Sequence, residues 1–333
     1  MKHTYAVIFL FLIMATGWGL GSHAAENMHW KIGHVRPQGS AIDQDTRALV
    51  QRISQETDGR IDFTVYPANK LGDYTVVQEK CAFGEVEMYI GPFGTMMNRK
   101  NALAFTPYLV TDWDQAREVY AHDSVLMQEM EKILLQQNIK ILGGWPVYFG
   151  GIVAGKKPPS PHDPDVPKDM IIRVPPIRCF SLTAETLGYT PYPITWMFAR
   201  DGLITGMVEG MLGGGAEGYL GLHRDVAKYY LHIKDHFEHW FVYINLDVWN
   251  KLPSEQQDIV QESVLDMERS RFALAQKQEQ ENMSRLSEKG TAVLTFSQDE
   301  LKVFQDKVRQ EVWPVMREEI GQPFEKVVSS LPE

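Results

Sequence analysis

Met170-Ile171-Ile172-Arg173-Val174-Pro175-Pro176 lies near the middle of the 333-residue chain and sets a guanidinium at the end of a short apolar run. A run of this length between turn residues predicts a buried strand rather than a helix. Pro175 and Pro176 stop it, because each ring fixes φ, removes a backbone donor and forces the preceding residue to be extended. Residues 179–188 then predict a short helix closed by glycine. A permanently charged fork between a strand end and a helix start suits a small anion. The segment alone favours a plainer reading, a solvated surface ion pair.

The flanking residues alternate strands with helices. Upstream, residues 156–169 hold five prolines (158, 159, 161, 164, 167), which predicts an exposed loop. Downstream come a strand at 191–194, a helix at 197–204, a strand at 206–212 and a helix at 216–230, then strands at 231–234 and 240–245. Gly213-Gly214-Gly215 reads as a crossing strand that needs close backbone approach, since no Lys-Ser/Thr pair follows to make a phosphate loop. In the first third, strands at 30–35, 60–66 and 86–90 alternate with helices, the second capped by Asp73. This order implies a mostly parallel sheet with helices on its faces. Residues 112–137 read as helix broken near 122–124. Strands at 139–144 and 152–154 flank the aromatic stretch Trp145 to Gly151. A helix from 254 to about 290, with Ser254 as N-cap and Gln257 in a capping box, is long enough to brace two lobes. Residues 298–333 predict one or two helices broken at Pro314 and Pro323.

Length and composition agree with a two-lobed α/β protein: 44% hydrophobic and 23% charged residues support a sizeable core. A net charge of −10 argues against nucleic acid or an anionic membrane surface as partner. Lys2 and His3, an apolar run over 5–20, and Ser22-His23-Ala24 predict a secretory leader cleaved after Ala24. Cys81 and Cys179 are expected as two buried free thiols. His232, His236 and His239 fall in strand and loop, where four-residue spacing does not gather ligands, so no metal is expected. Neither a G-x-S-x-G elbow nor a P-loop occurs, which argues against an enzyme and against a cofactor. The rival enzyme reading is a secreted hydrolase, and a second rival is a ligand-sensing partner of a membrane receptor. Trp145, Tyr148, Phe149, Trp196, Phe198, Tyr219 and Trp240, all at strand ends, are either core or the walls of a small pocket.

Several segments in order resemble the dicarboxylate-type solute-binding protein of tripartite ATP-independent periplasmic (TRAP) transporters. They are Lys31-Ile32-Gly33-His34-Val35-Arg36-Pro37, Thr57-Asp58-Gly59-Arg60 and Tyr66-Pro67-Ala68-Asn69-Lys70-Leu71-Gly72. Ile172-Arg173-Val174-Pro175, Leu187-Gly188, Val208-Glu209-Gly210 and the "N-x-x-x-W-x-x-L-P" run at 245–253 follow. The resemblance spans roughly residues 30–290. It implies a periplasmic-binding-protein-like fold with mixed, mostly parallel sheets, a hinge and a long helix spanning both lobes. Lobe one is expected at 25–147 plus about 240–255, lobe two at 148–239, and residues 254–333 pack on both. It also implies a monomeric periplasmic receptor that clamps an organic anion with Arg173 and serves small and large permease subunits. Three positions depart from the family: Gly150 stands where many members have a second arginine, Met211-Leu212-Gly213 replaces "Q-E-N", and Met197-Phe198-Ala199-Arg200 replaces "S-E-x-Y". Arg178 is therefore the candidate compensating cation, and Glu217 and Glu209 are candidates to receive a ligand hydroxyl or amine. The expected ligand carries one strong acid group, carboxylate or sulfonate.

Overall fold

The computed structural model describes residues 27–220 and 226–332. The expected leader and its cleavage point lie outside the described residues. Among the described residues no helix is long and apolar enough to cross a membrane.

The chain opens with β1 (Met28–His34), α1 (Ala41–Glu56), β2 (Ile61–Tyr66), α2 (Tyr74–Ala82) and β3 (Met88–Gly91). A 3-10 turn at Arg99–Phe105 and helices α3 (Trp113–Val119) and α4 (Val125–Leu135) lead into β4 (Ile139–Phe149). Next come β5 (Gly151–Ala154), β6 (Ile171–Val174), α5 (Arg178–Thr186), β7 (Thr190–Pro193), α6 (Trp196–Ile204), β8 (Gly210–Gly214), α7 (Ala216–Gly218) and β9 (Tyr229–Leu231). The chain closes with β10 (Phe237–Asn245), α8 (Leu246–Asn250), α9 (Ser254–Glu288), β11 (Ala292–Leu294), α10 (Gln298–Ile320) and α11 (Gln322–Ser329).

Two sheets result, ordered β2-β1-β3-β10-β4 and β11-β9-β5-β8-β6-β7. Five of the nine strand pairings among the described residues are parallel, so the sheets are mixed and predominantly parallel. The chain passes from the first sheet to the second at Gly150 and returns between Leu231 and Phe237. These two crossings touch: Gly150 N donates to His236 O at 2.8 Å. The architecture is the two-lobed α/β fold anticipated above, with α9 packed on β4 and α1 of one lobe and on α7 and β11 of the other.

How α9 holds β4 follows from edge-strand chemistry. β4 is the outer strand of its sheet, so its free polar groups need partners. Helix side chains supply them. Gln261 Nε2 donates to Leu142 O (2.5 Å), Glu268 accepts from Gly144 N (2.5 Å), Arg271 Nε donates to Pro146 O (2.9 Å) and Glu279 accepts from Phe149 N (2.6 Å). Each such buried group left unpaired would cost about 1–3 kcal/mol. Burial lowers the Arg271 guanidinium to about 10.

Four local expectations are corrected. Pro253, extended at ψ 148°, is the residue before α9, so Ser254 is already inside the helix and makes no cap; the capping box belongs to Ser297 and Glu300 at the start of α10. Pro314 does not break α10, whose buried face Phe304, Val308, Val312, Met316 and Ile320 outweighs the lost backbone bond; the break comes at Gly321, with φ +74°. The helix expected over 216–230 does not reach 230: α7 (Ala216–Gly218) begins it, residues 221–225 lie outside the described residues, and Tyr229–Leu231 is strand, because Tyr230 and Leu231 are buried within the second sheet. The strand expected at 206–212 is shifted to Gly210–Gly214, carrying it into the glycine tract.

Candidate ligand-binding site

A cavity of about 50 Å³ lies between the two sheets, lined among others by Arg36, Tyr74, Tyr148, Phe180, Trp196, Gly213, Glu238 and Trp240, with Arg173 in its wall. Arg173 is on β6, paired in register with Met211 of β8 and Tyr192 of β7, so the sheet fixes its backbone. Its side chain is 1% exposed. Nε donates to Ile194 O at 2.8 Å, and the guanidinium lies 5.5 Å from the Trp196 ring centroid. Among the described residues no carboxylate comes within ion-pair distance of it. Burial lowers its pKa, and the surrounding Tyr74 and Tyr219 hydroxyls only partly offset this. A guanidinium keeps its proton under such shifts, so Arg173 is a buried cation with no acid in contact, although the charge of Asp73 acts on it from further away.

A second arginine, Arg36, reaches the cavity from the loop after β1. Nε donates to Glu217 Oε2 at 2.8 Å, and the guanidinium sits between the rings of Trp196 (5.1 Å) and Trp240 (4.8 Å). Burial works against its charge, but Glu217 first, then Tyr148 and Glu238, more than compensate and hold the pKa above the ordinary value. Arg36 is therefore neutralised, whereas Arg173 is not.

The remaining carboxylate on the wall is Glu238, opposite Tyr148 across the β10–β4 pairing. Oε1 accepts from Trp240 Nε1 at 2.5 Å and Oε2 from His236 Nε2 at 3.0 Å. His236 Nδ1 meets Asp235 Oδ2 at 2.6 Å. Burial pulls the imidazole pKa down, but Asp235 and then Glu238 outweigh it and lift it to about 10. His236 is thus an imidazolium held between two acids.

Of the ten residues proposed from sequence, five stand on this wall: Arg173, Tyr148, Trp196, Gly213 and Trp240. The other five, and the further candidate Glu209, do not. Arg178 begins α5, is largely exposed, and pairs with Glu319 of α10 instead of facing the cavity. Phe198 is 60% exposed, on the outer side of α6. Trp145 is core, stacked on Trp240 at 5.3 Å and bonded through Nε1 to Asp45. Phe149 packs edge-on against Trp113. Glu217 acts on Arg36. Glu209 pairs with Lys156 away from the cavity.

Glycines explain the departures from the family pattern. Gly213 has φ +83°, and a Cβ there would stand 2.4 Å from the Pro175 ring, so this position admits no side chain. A Cβ at Gly150 would meet His236 Cε1 at 2.1 Å. The imidazolium therefore fills the space that a side chain from position 150 would need.

A buried arginine in an interlobe cavity, with no acid in contact, defines a receptor for a small solute. Residues 32–319 match the bacterial extracellular solute-binding protein family 7 (DctP), and the chain belongs to this family. It is 24% identical over 303 residues to the sialic acid-binding periplasmic protein SiaP of Vibrio cholerae, covering 88% of this chain and 90% of that protein. Two solved TRAP periplasmic solute-binding proteins share the fold. One, from Chromohalobacter salexigens with bound D-glucuronate, has TM-score 0.83 at 16% identity over 91% of this chain and 98% of that one. The other, from Haemophilus influenzae with bound L-gulonate, has TM-score 0.81 at 20% identity, with the same coverage of both chains. The protein is a binding protein and not an enzyme, as its family and relatives are.

Proposed function

We propose that this protein is exported to the periplasm, with its leader removed near Ala24, and there captures a small organic acid as a monomer. The acid group, carboxylate or sulfonate, pairs with Arg173 in a bidentate, charge-assisted contact. Trp196, Trp240, Tyr148 and Phe180 exclude water from that contact and so strengthen it. The observation that carries this reading is Arg173 itself: 1% exposed, on the cavity wall, with no acid in contact.

Lobe one, 25–147 with about 240–255, and lobe two, 148–239, turn about the touching crossings at Gly150 and His236, with the chain from 254 bracing both. A ligand bonded to both lobes shifts them toward the closed state. The closed complex then docks on the small and large membrane subunits of a TRAP permease. A thermal-shift screen over small carboxylates and sulfonates tests the binding claim, because a ligand of the folded state raises the melting temperature. Acids are expected to raise it and uncharged analogues to leave it unchanged. A response to uncharged solutes alone would overturn the reading.

A further inference from the structure

Glu238 has no part in the capture of a simple anion, yet it stands in the same cavity wall as Arg173. It is 8% exposed, on a strand otherwise buried on both faces. Two donors, Trp240 Nε1 and His236 Nε2, occupy about half of the lone-pair sites a carboxylate offers. The others remain for a guest.

Charge bookkeeping around the cavity sharpens the point. Among the described residues the cations are Arg36, Arg173 and the His236 imidazolium, and the anions are Glu217, Asp235, Glu238 and Asp73. Arg36 is matched by Glu217, and the single charge of His236 is shared by Asp235 and Glu238. Arg173 is left with no acid in contact, and Glu238 is left only partly compensated. Asp73 makes the surroundings more negative still: its Oδ2 is buried without a hydrogen-bond partner, and its charge acts on both Tyr74 and Arg173. A ligand with only an acid group would satisfy Arg173 and leave Glu238 facing added negative charge in a water-poor cavity. A ligand that also carries a cationic nitrogen satisfies both.

We infer that the cavity selects a small zwitterion, with the acid on Arg173 and a cationic nitrogen on Glu238. This inference rests on the organic-acid reading and narrows it: Glu238 is the residue that separates zwitterions from plain anions.

The test uses matched series that differ only in the nitrogen: taurine against isethionate and ethanesulfonate, β-alanine against 3-hydroxypropionate and propionate, and longer pairs up to six carbons. Binding to the full mature chain is measured by thermal shift and then by calorimetry. Zwitterions are expected to bind at least tenfold more tightly than their anionic partners. Glu238→Gln is expected to erase that preference, and Arg173→Ala to lose both series. Equal or tighter binding of the plain anions, still dependent on Arg173, would overturn the zwitterion inference and leave the organic-acid reading intact. Binding by neither series would overturn both. Should Glu238→Gln fail to fold, the wild-type comparison decides alone.

Discussion

Arg36 Nε and Glu217 Oε2 stand 2.8 Å apart and join the loop after β1 of the first sheet to α7, just past β8 of the second. The pair bridges the two lobes beside the cavity. Its arginine is 5% exposed and its glutamate 24%, so the contact is partly desolvated. Glu217→Gln leaves the Arg36 guanidinium buried without its acid. The expected cost is about 1–3 kcal/mol, together with a larger radius of gyration in the unliganded protein as the lobes part. Denaturant unfolding and small-angle scattering check the two outcomes. An unchanged radius would mean that the bridge does not hold the lobes together.

Gly213→Ala is expected to destabilise the protein by roughly 2–4 kcal/mol, combining left-handed backbone strain with overpacking against Pro175. Gly39→Ala is the control, since Gly39 has φ +80° with nothing within 4 Å of its added Cβ. That substitution should cost only the strain, about 1–2 kcal/mol. Equilibrium unfolding of the two variants separates the terms.

Two buried histidines give opposite pH dependence. His236 has its pKa raised from 6.5 to about 10, so its contribution to stability is complete below pH 6.5 and is lost as pH rises through 10. His239, packed among Tyr120, Phe241 and Phe272 with both ring nitrogens unpartnered, is lowered by burial to about 3. Its neutral form contributes stability above pH 6.5 that is lost as pH falls through 3. Stability should therefore peak near pH 6.5. His239→Phe should flatten the acid limb and leave the alkaline limb in place, which melting curves from pH 4 to 10 will show.

The fold was largely legible because its determinants are local. The apolar run before Pro175, the Asp73 cap and the length of the helix after Pro253 each dictate an element without reference to the rest of the chain. Arg173 and Tyr148 were legible for the same reason, since both lie near strand ends, whereas Trp196 begins α6 and Trp240 lies inside β10. Arg178 failed because its partner, Glu319, is 141 residues away on α10, and spacing along α5 does not reveal that contact. Arg36 lies within the family-like segment 31–37, whose spacing does not show that its side chain reaches Glu217, 181 residues away. Glu238 was missed although a signal existed: a lone acid within Phe237-Glu238-His239-Trp240-Phe241, a run too apolar for a solvated strand. Charges in such runs require partners or ligands.

The most direct test of the account is calorimetric titration of the ligand found by screening into wild-type protein and Arg173→Ala, with unliganded melting as the folding control. A buried acid group left without its guanidinium should cost roughly 3 kcal/mol, about a hundredfold in affinity. Equal affinity in the two proteins would contradict the assignment of Arg173 as the anion anchor.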